Sequence, residues 1–160
     1  MIEVSVDGVL IDNNSNLPVV LLRERDGDRV LPIYIGPFEA SAIAFSLRQT
    51  EFPRPMTLDM MRLIIEGLGG RVSRVNVTRI EGDTYFAELI LETGGRVVTI
   101  DARPSDSVGL ALRAGCPIFV ADEVMARAGQ VVSEENEERL RQLRARLREI
   151  RPEDLGDYRM

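Results

Sequence analysis

The 160-residue sequence contains no histidine and no lysine, and it has a single cysteine. Each absence closes a class of chemistry. Without histidine there is no Ser-His-Asp or Cys-His arrangement, no imidazole base and no His-ligated metal. Without lysine there is no Schiff base and no P-loop. The lone Cys116 excludes an internal disulfide and a cysteine-rich zinc site. Its setting, AGCPIFV, is apolar and suits a buried, inert thiol rather than a nucleophile. No run approaches the roughly 18 apolar residues of a membrane span. The opening MIEVSVDGVLID is acidic and alternating, unlike a signal peptide, so the chain reads as cytosolic.

What remains is ordinary in amount and narrow in kind. Apolar residues make up 44% and charged residues 29%, as in a soluble globular domain with one core. All 20 basic residues are arginine, set against 26 acids, for a net charge of −6. That balance opposes tight non-specific binding to nucleic acid, which is mostly phosphate neutralisation, and leaves a local arginine patch as the route to it. The available chemistry is carboxylates holding Mg²⁺ or Mn²⁺, and arginines or backbone N–H groups holding anions.

Periodicity gives the architecture. IEVSVDGVLID alternates, PVVLLRER and RVLPIYI are short apolar runs, and the DGD at 26–28 between the last two signals a hairpin turn. FEASAIAFSLR after Gly36-Pro37 has helical spacing. A second helix follows in LDMMRLIIEGLGG, with Thr57 as N-cap and with Met60, Met61, Ile64, Ile65 and Leu68 on its buried side. RVSRVNVTRI, TYFAELILE and RVVTIDA read as strands joined by EGD and TGG turns. PSDSVGLALRAG is a third helix, capped by Ser105 or Ser107 and stopped by Gly115, and CPIFVA is a short buried strand. A last helix is predicted from Glu134 to Ile150, with Leu140, Leu143, Leu147 and Ile150 on one stripe. The fold class is therefore α+β, a mixed and largely antiparallel sheet with helices packed on it, divided as residues 1–130 and a C-terminal helical extension, 131–160.

Three helix starts follow one pattern. They are IGPFEA with Glu39, RPMTLD with Arg54 and Asp59, and DARPSDS with Asp101, Arg103 and Asp106. Proline in a first turn needs no N–H partner, and an acid there suits the helix dipole, so each start alone is explained as a cap. Taken together, and if the starts converge on one sheet, they form a site. Free N–H groups would take phosphate, Arg54 and Arg103 would clamp it, and Asp59, Asp101 and Asp106 would hold a divalent ion. IGPFEASAIAFSLR and DARPSDSVGLALR also echo each other. Pro37 corresponds to Pro104, Glu39 to Asp106 and Ala42 to Gly109, with the last pair small enough for close helix approach.

At LPIYIGPFEASAIAFSL, EFPRPMTLDMM and DARPSDSVGLALRAGCPIFV, the chain resembles the bacterial bifunctional nuclease family, over about residues 1–128. The resemblance implies a compact α+β domain that self-associates and hydrolyses DNA and RNA. The positions it carries over are Glu39, Arg54, Asp59, Asp101, Arg103, Ser105 and Asp106. One departure is Leu58, where the family often carries histidine. The leading expectation is a metal-assisted nuclease with Asp59, Asp106 and Glu39 at the chemistry, Arg54, Arg103 and Ser105 on phosphate, and Asp59, Asp101 and Asp106 on Mg²⁺ or Mn²⁺. The alternative is a non-catalytic oligomeric binding or regulatory module, which the net charge and the cap-like acids favour. A homodimer or higher homo-oligomer is expected, with the Leu140–Ile150 stripe either at its interface or folded back on its own domain.

Overall fold

The computed structural model describes residues 1–131 and 147–150. In chain order the elements are β1 (Ile2–Asp12), β2 (Pro18–Glu24), β3 (Arg29–Tyr34), α1 (Pro37–Leu47), α2 (Thr57–Gly67), β4 (Gly70–Glu81) and β5 (Thr84–Thr93). They continue with β6 (Arg96–Ala102), α3 (Pro104–Ala114), β7 (Ile118–Val120), α4 (Asp122–Ala128), β8 (Gln130–Val131) and β9 (Leu147–Glu149). The nine strands among the described residues join one sheet, in the order β6-β5-β4-β7-β1-β2-β3-β8, with β9 on β1. Among the described residues only the β4–β7 pair is parallel, so the sheet is mixed and largely antiparallel, as the alternating runs predict.

The sheet is built from two hairpin systems. In the first, the Asp26–Asp28 turn joins β2 to β3. In the second, β4, β5 and β6 form a meander whose turns place Gly82, Gly94 and Gly95 at positive φ, a conformation open to glycine without a Cβ clash. The short strand β7 joins the two systems, antiparallel to β1 and parallel to β4. Helices α1, α2 and α3 pack together. α1 lies on β1 and β2, and α3 lies on β4 and β5. Val20, Leu22 and Leu31 from one system meet Val75, Val77 and Ala87 from the other beneath Ile43, Val108 and Leu110, all essentially inaccessible to solvent.

Four expectations change. The N-cap of α2 is Met56 rather than Thr57, and the Asp59 carboxylate accepts a hydrogen bond from the Met56 N–H at 3.0 Å. α3 is capped by Arg103 with Pro104 at its first position. Ser105 and Ser107 therefore lie inside the helix and buried, because proline, not serine, sets its entry angle. On α2 only Leu58, Met61 and Ile65 reach the core, while Met60, Ile64 and Leu68 are exposed. Its apolar residues cover more of the circumference than one packed stripe can use. At the C-terminus, residues 132–146 of the predicted helix lie outside the described residues. Leu147–Glu149 form a strand antiparallel to β1 at Leu10–Asp12, and Ile150 is buried in the same core. The 131–160 range thus contributes to the sheet of the first 130 residues. Helix α4 and strand β8 are additional to the sequence reading.

Candidate active site

Two of the three helix starts are built alike and lie side by side. β3 leads through Gly36 in an extended conformation to Pro37 and then Glu39 in the first turn of α1. β6 leads through Arg103, also extended, to Pro104 and Asp106 in the first turn of α3. The extended residue before each proline follows from the clash that bars it from helical angles. α1 packs on α3, and the Arg103 guanidinium lies between their first turns. It is 2.9 Å from Glu39 Oε1 and donates to Asp106 from Nε and Nη2 at 2.7 and 3.1 Å. Asp106, and after it Glu39, raise the pKa of that guanidinium, so it stays a cation at any working pH. Its side chain is 66% exposed, whereas that of Glu39 is 19% exposed. The cluster is thus a solvent-facing cation above two helix N-termini, tethered by two carboxylates.

The third start lies elsewhere on α3. Leu58, next to Asp59, packs over the middle of that helix. A Cβ at Gly109 would sit 2.7 Å from Leu58 Cδ1 and 3.6 Å from Ile43, so the glycine admits both neighbouring helices. Asp59 faces Arg113, 3.3 Å from its Nε, with both side chains sheltered at 21% and 16% exposed. That Nε is buried and makes no directed hydrogen bond, so the contact is one of charge. A second nitrogen of Arg113 donates to the Thr50 carbonyl at 3.4 Å. Arg103 and Arg113 are ten residues apart, about 15 Å of helix rise. The expected convergence of three starts therefore holds for α1 and α3 and fails for α2.

The remaining candidates are scattered. Asp101 is exposed on β6, across from Glu88 of β5, and Arg54 is exposed in the loop before α2, without an ion pair among the described residues. Ser105 is buried in the first turn of α3. No three acidic or cysteine residues gather as a metal-binding group among the described residues. Cys116 is half-buried, and burial pushes its thiol pKa up to about 11, as expected of an inert thiol.

Helical spacing places Phe38 with Ala42 and Phe45 on the sheet-facing side of α1, but Phe38 is exposed instead, and Arg113 was not selected from the sequence. Both line a cavity of about 150 Å³ between α1 and the start of α2, together with Phe45, Met56, Thr57 and Leu58. Phe38 is an exposed aromatic beside Glu39, and exposure of so large an apolar group is the signal that marks it, visible only in three dimensions.

Residues 20–133 match the family described as the bifunctional nuclease domain. The chain is 44% identical over 136 residues to a Mycobacterium tuberculosis protein described as uncharacterized, across 85% of this chain and 81% of that protein. It is 29% identical over 114 residues to bifunctional nuclease 1 of Oryza sativa subsp. japonica and 29% identical over 107 residues to bifunctional nuclease 1 of Arabidopsis thaliana. Those matches cover 69% and 64% of this chain but only 34% and 33% of the plant proteins, so the chain corresponds to about a third of their length.

Proposed function

The chain belongs to the bifunctional nuclease domain family, and on that premise we propose that it hydrolyses phosphodiesters of DNA and RNA at the shared start of α1 and α3. The observation that carries this reading is Arg103, an exposed cation at two adjacent helix N-termini. Helix N-termini and a guanidinium fork are both complementary to phosphate. Arg103 can exchange its surface carboxylate contacts for a phosphate group with little loss of folding energy. Phe38 offers a face on which an unpaired base can stack.

Glu39 and Asp106 fit a divalent ion of one kind. Mg²⁺ or Mn²⁺ is commonly held by one or two carboxylates, with water and substrate oxygens completing its shell, and these two carboxylates both reach the same guanidinium. Bound there, the ion would polarise the phosphodiester and supply an activated water. Ser105 is buried in the same first turn as Asp106, where a phosphate has little access to it. In this reading Asp59, Arg54 and Asp101 stand outside the reacting centre.

A second reading rests on the same contacts. Both carboxylates are already satisfied by Arg103, which is what a purely structural link between α1 and α3 would also show. It predicts a non-catalytic module. The deciding experiment is hydrolysis of single-stranded DNA and RNA by the full chain with Mg²⁺ or Mn²⁺, by wild type, Glu39→Ala and Asp106→Ala. The nuclease reading expects cleavage that chelation stops and that both variants lose while keeping their melting temperature. Cleavage that survives both substitutions, or its absence in wild type with either ion, would overturn it.

A further inference from the structure

The cavity of about 150 Å³ between α1 and the start of α2 combines apolar walls with one cation. Phe38, Ser41, Ala42 and Phe45 recur at i, i+3, i+4 and i+7, so one face of α1 supplies one wall. Phe45 is set in place by an edge-on contact with Phe52, their ring centroids 5.1 Å apart and their planes at 82°. Ser41 donates its hydroxyl to the Pro37 carbonyl at 2.8 Å, within its own helix. The start of α2 forms the facing wall, and Arg113 of α3 completes the lining.

Arg113 brings more donors than its surroundings use. A guanidinium carries five N–H groups and no acceptor. Among the described residues its one directed acceptor is the Thr50 carbonyl, on Nη1, while the buried Nε has none. Asp59 answers its charge at 3.3 Å. A ligand in this cavity therefore needs hydrogen-bond acceptors but no negative charge of its own.

The cavity also adjoins the Arg103 cluster. α1 and α3 meet at their starts through Glu39 and Arg103, and near their ends through Thr50 and Arg113, so they run side by side in the same sense. The cavity wall begins at Phe38, the residue before Glu39, and reaches Phe45 about 10 Å further along α1. A strand whose phosphate sits at Arg103 thus brings a neighbouring base to Phe38, at one end of the cavity.

We infer that this cavity is a base subsite selective for pyrimidines. An apolar cavity of about 150 Å³ takes one benzene-sized ring, and a purine adds a second fused ring to that. Cytosine, uracil and thymine all carry a carbonyl oxygen at position 2, an acceptor for the unused N–H groups of Arg113. Phe38 and Phe45 supply aromatic surface along the length of the ring's path. Arg113 is here a specificity-determining residue, held in place by Asp59 and distant from the bond that breaks. The inference rests on nucleic acid as the ligand of the Arg103 cluster, the reading proposed above.

The test measures binding apart from cleavage. The full chain is titrated, with chelator present, into labelled oligothymidylate and oligodeoxyadenylate of equal length. At one salt concentration their phosphates contribute alike, so the ratio of affinities reports the bases. Wild type should hold the thymidylate strand at least about tenfold more tightly. Flexible pyrimidine strands can be favoured without any pocket, so a variant decides. Ala42→Leu adds three carbons inside the cavity at a helix position that accepts leucine, and should bring the two affinities within about twofold. If that variant does not fold, Arg113→Lys takes its place. It keeps a cation beside Asp59 but loses the planar fork, and it too should shrink the ratio. Equal affinities in wild type overturn the inference, as does a preference that the folded variant retains, or no binding of either strand. A wild type that prefers thymidylate but cuts nothing with Mg²⁺ or Mn²⁺ keeps the subsite and removes the nuclease reading. Cleavage with equal affinities does the reverse.

Discussion

Helix α3 carries an arginine near each end, and the two are held in opposite ways. Arg103 is exposed and contacts one exposed carboxylate, Asp106, and one sheltered one, Glu39, whereas Arg113 is itself sheltered, between an equally sheltered Asp59 and the Thr50 carbonyl. Screening and side-chain entropy leave an exposed pair contributing little to stability, so Arg103 is free to change partners. A sheltered pair that loses one member leaves a charge stranded, so Arg113 and Asp59 are bound to each other by the fold. Equal residue types thus mark a candidate site at one end of the helix and a structural tie at the other.

The largest effect should come from exchanging the roles that the comparison assigns. Arg103→Ala is expected to lower phosphodiester hydrolysis about a hundredfold, the scale of losing a preorganised electrostatic contact, with an unchanged melting temperature. Arg103→Lys should recover part of that loss, because a point charge cannot grip phosphate bidentately. A melting point that falls while hydrolysis stays constant would reverse the assignment of this end.

Asp59→Ala should do the opposite. It removes both the partner of Arg113 and the acceptor for the Met56 N–H, at a cost of about 2 kcal/mol. For a chain of this length that lowers the melting temperature by about 5 °C, read by calorimetry, while hydrolysis persists at temperatures where the variant is folded. Lost hydrolysis with an unchanged melting point would place Asp59 in the reacting centre.

A smaller effect extends the comparison to a second sheltered pair, Glu24 and Arg29 on the β2–β3 hairpin, joined by hydrogen bonds of 2.7 and 2.8 Å. Hydrogen bonding to Arg29 holds the Glu24 carboxyl below its ordinary value of 4.5. The unfolded chain therefore takes up its proton first. The contribution of this pair is present above pH about 4.5 and is lost as pH falls through the lower folded value. Melting temperatures measured from pH 6 to 3 should fall less steeply in Glu24→Gln than in wild type, and parallel curves would remove the pair from the acid response.

The smallest effect is expected beside the sheltered end, at Cys116. With its thiol pushed up to about 11 by burial, it should resist a disulfide reagent at pH 8 in the folded protein and react promptly once the chain is denatured. Rapid labelling of the native protein would show that this end of α3 is more open than the packing implies.

Much of the fold was legible in the sequence because local patterns caused it. Alternation set the strands of both hairpin systems, DGD, EGD and TGG set their turns, and Pro37, Pro104 and Gly115 set helix ends. The reading failed where several local patterns were equally satisfied. α2 has apolar residues on two faces, and its periodicity cannot say which face meets α3. Leu147 to Ile150 suit helical spacing, yet pairing with β1 and burial of Ile150 override that propensity. The close approach expected at Gly109 is present, because Leu58 and Ile43 occupy the space that a side chain would need.

The sequence by itself determined the chemistry on offer: arginine as the only basic side chain, no imidazole, and an acid in the first turn of three helices. Those are properties of composition and of neighbours along the chain. Only the tertiary structure decided which acids share an arginine. Glu39 and Arg103 are 64 residues apart in sequence, and their 2.9 Å contact follows from α1 and α3 packing side by side on one sheet. Asp59, with the same local signature, meets Arg113 instead, because Leu58 docks over Gly109 and places the start of α2 partway along α3. Local sequence sets what a helix start can bind, and packing between helices sets which starts are near enough to bind together.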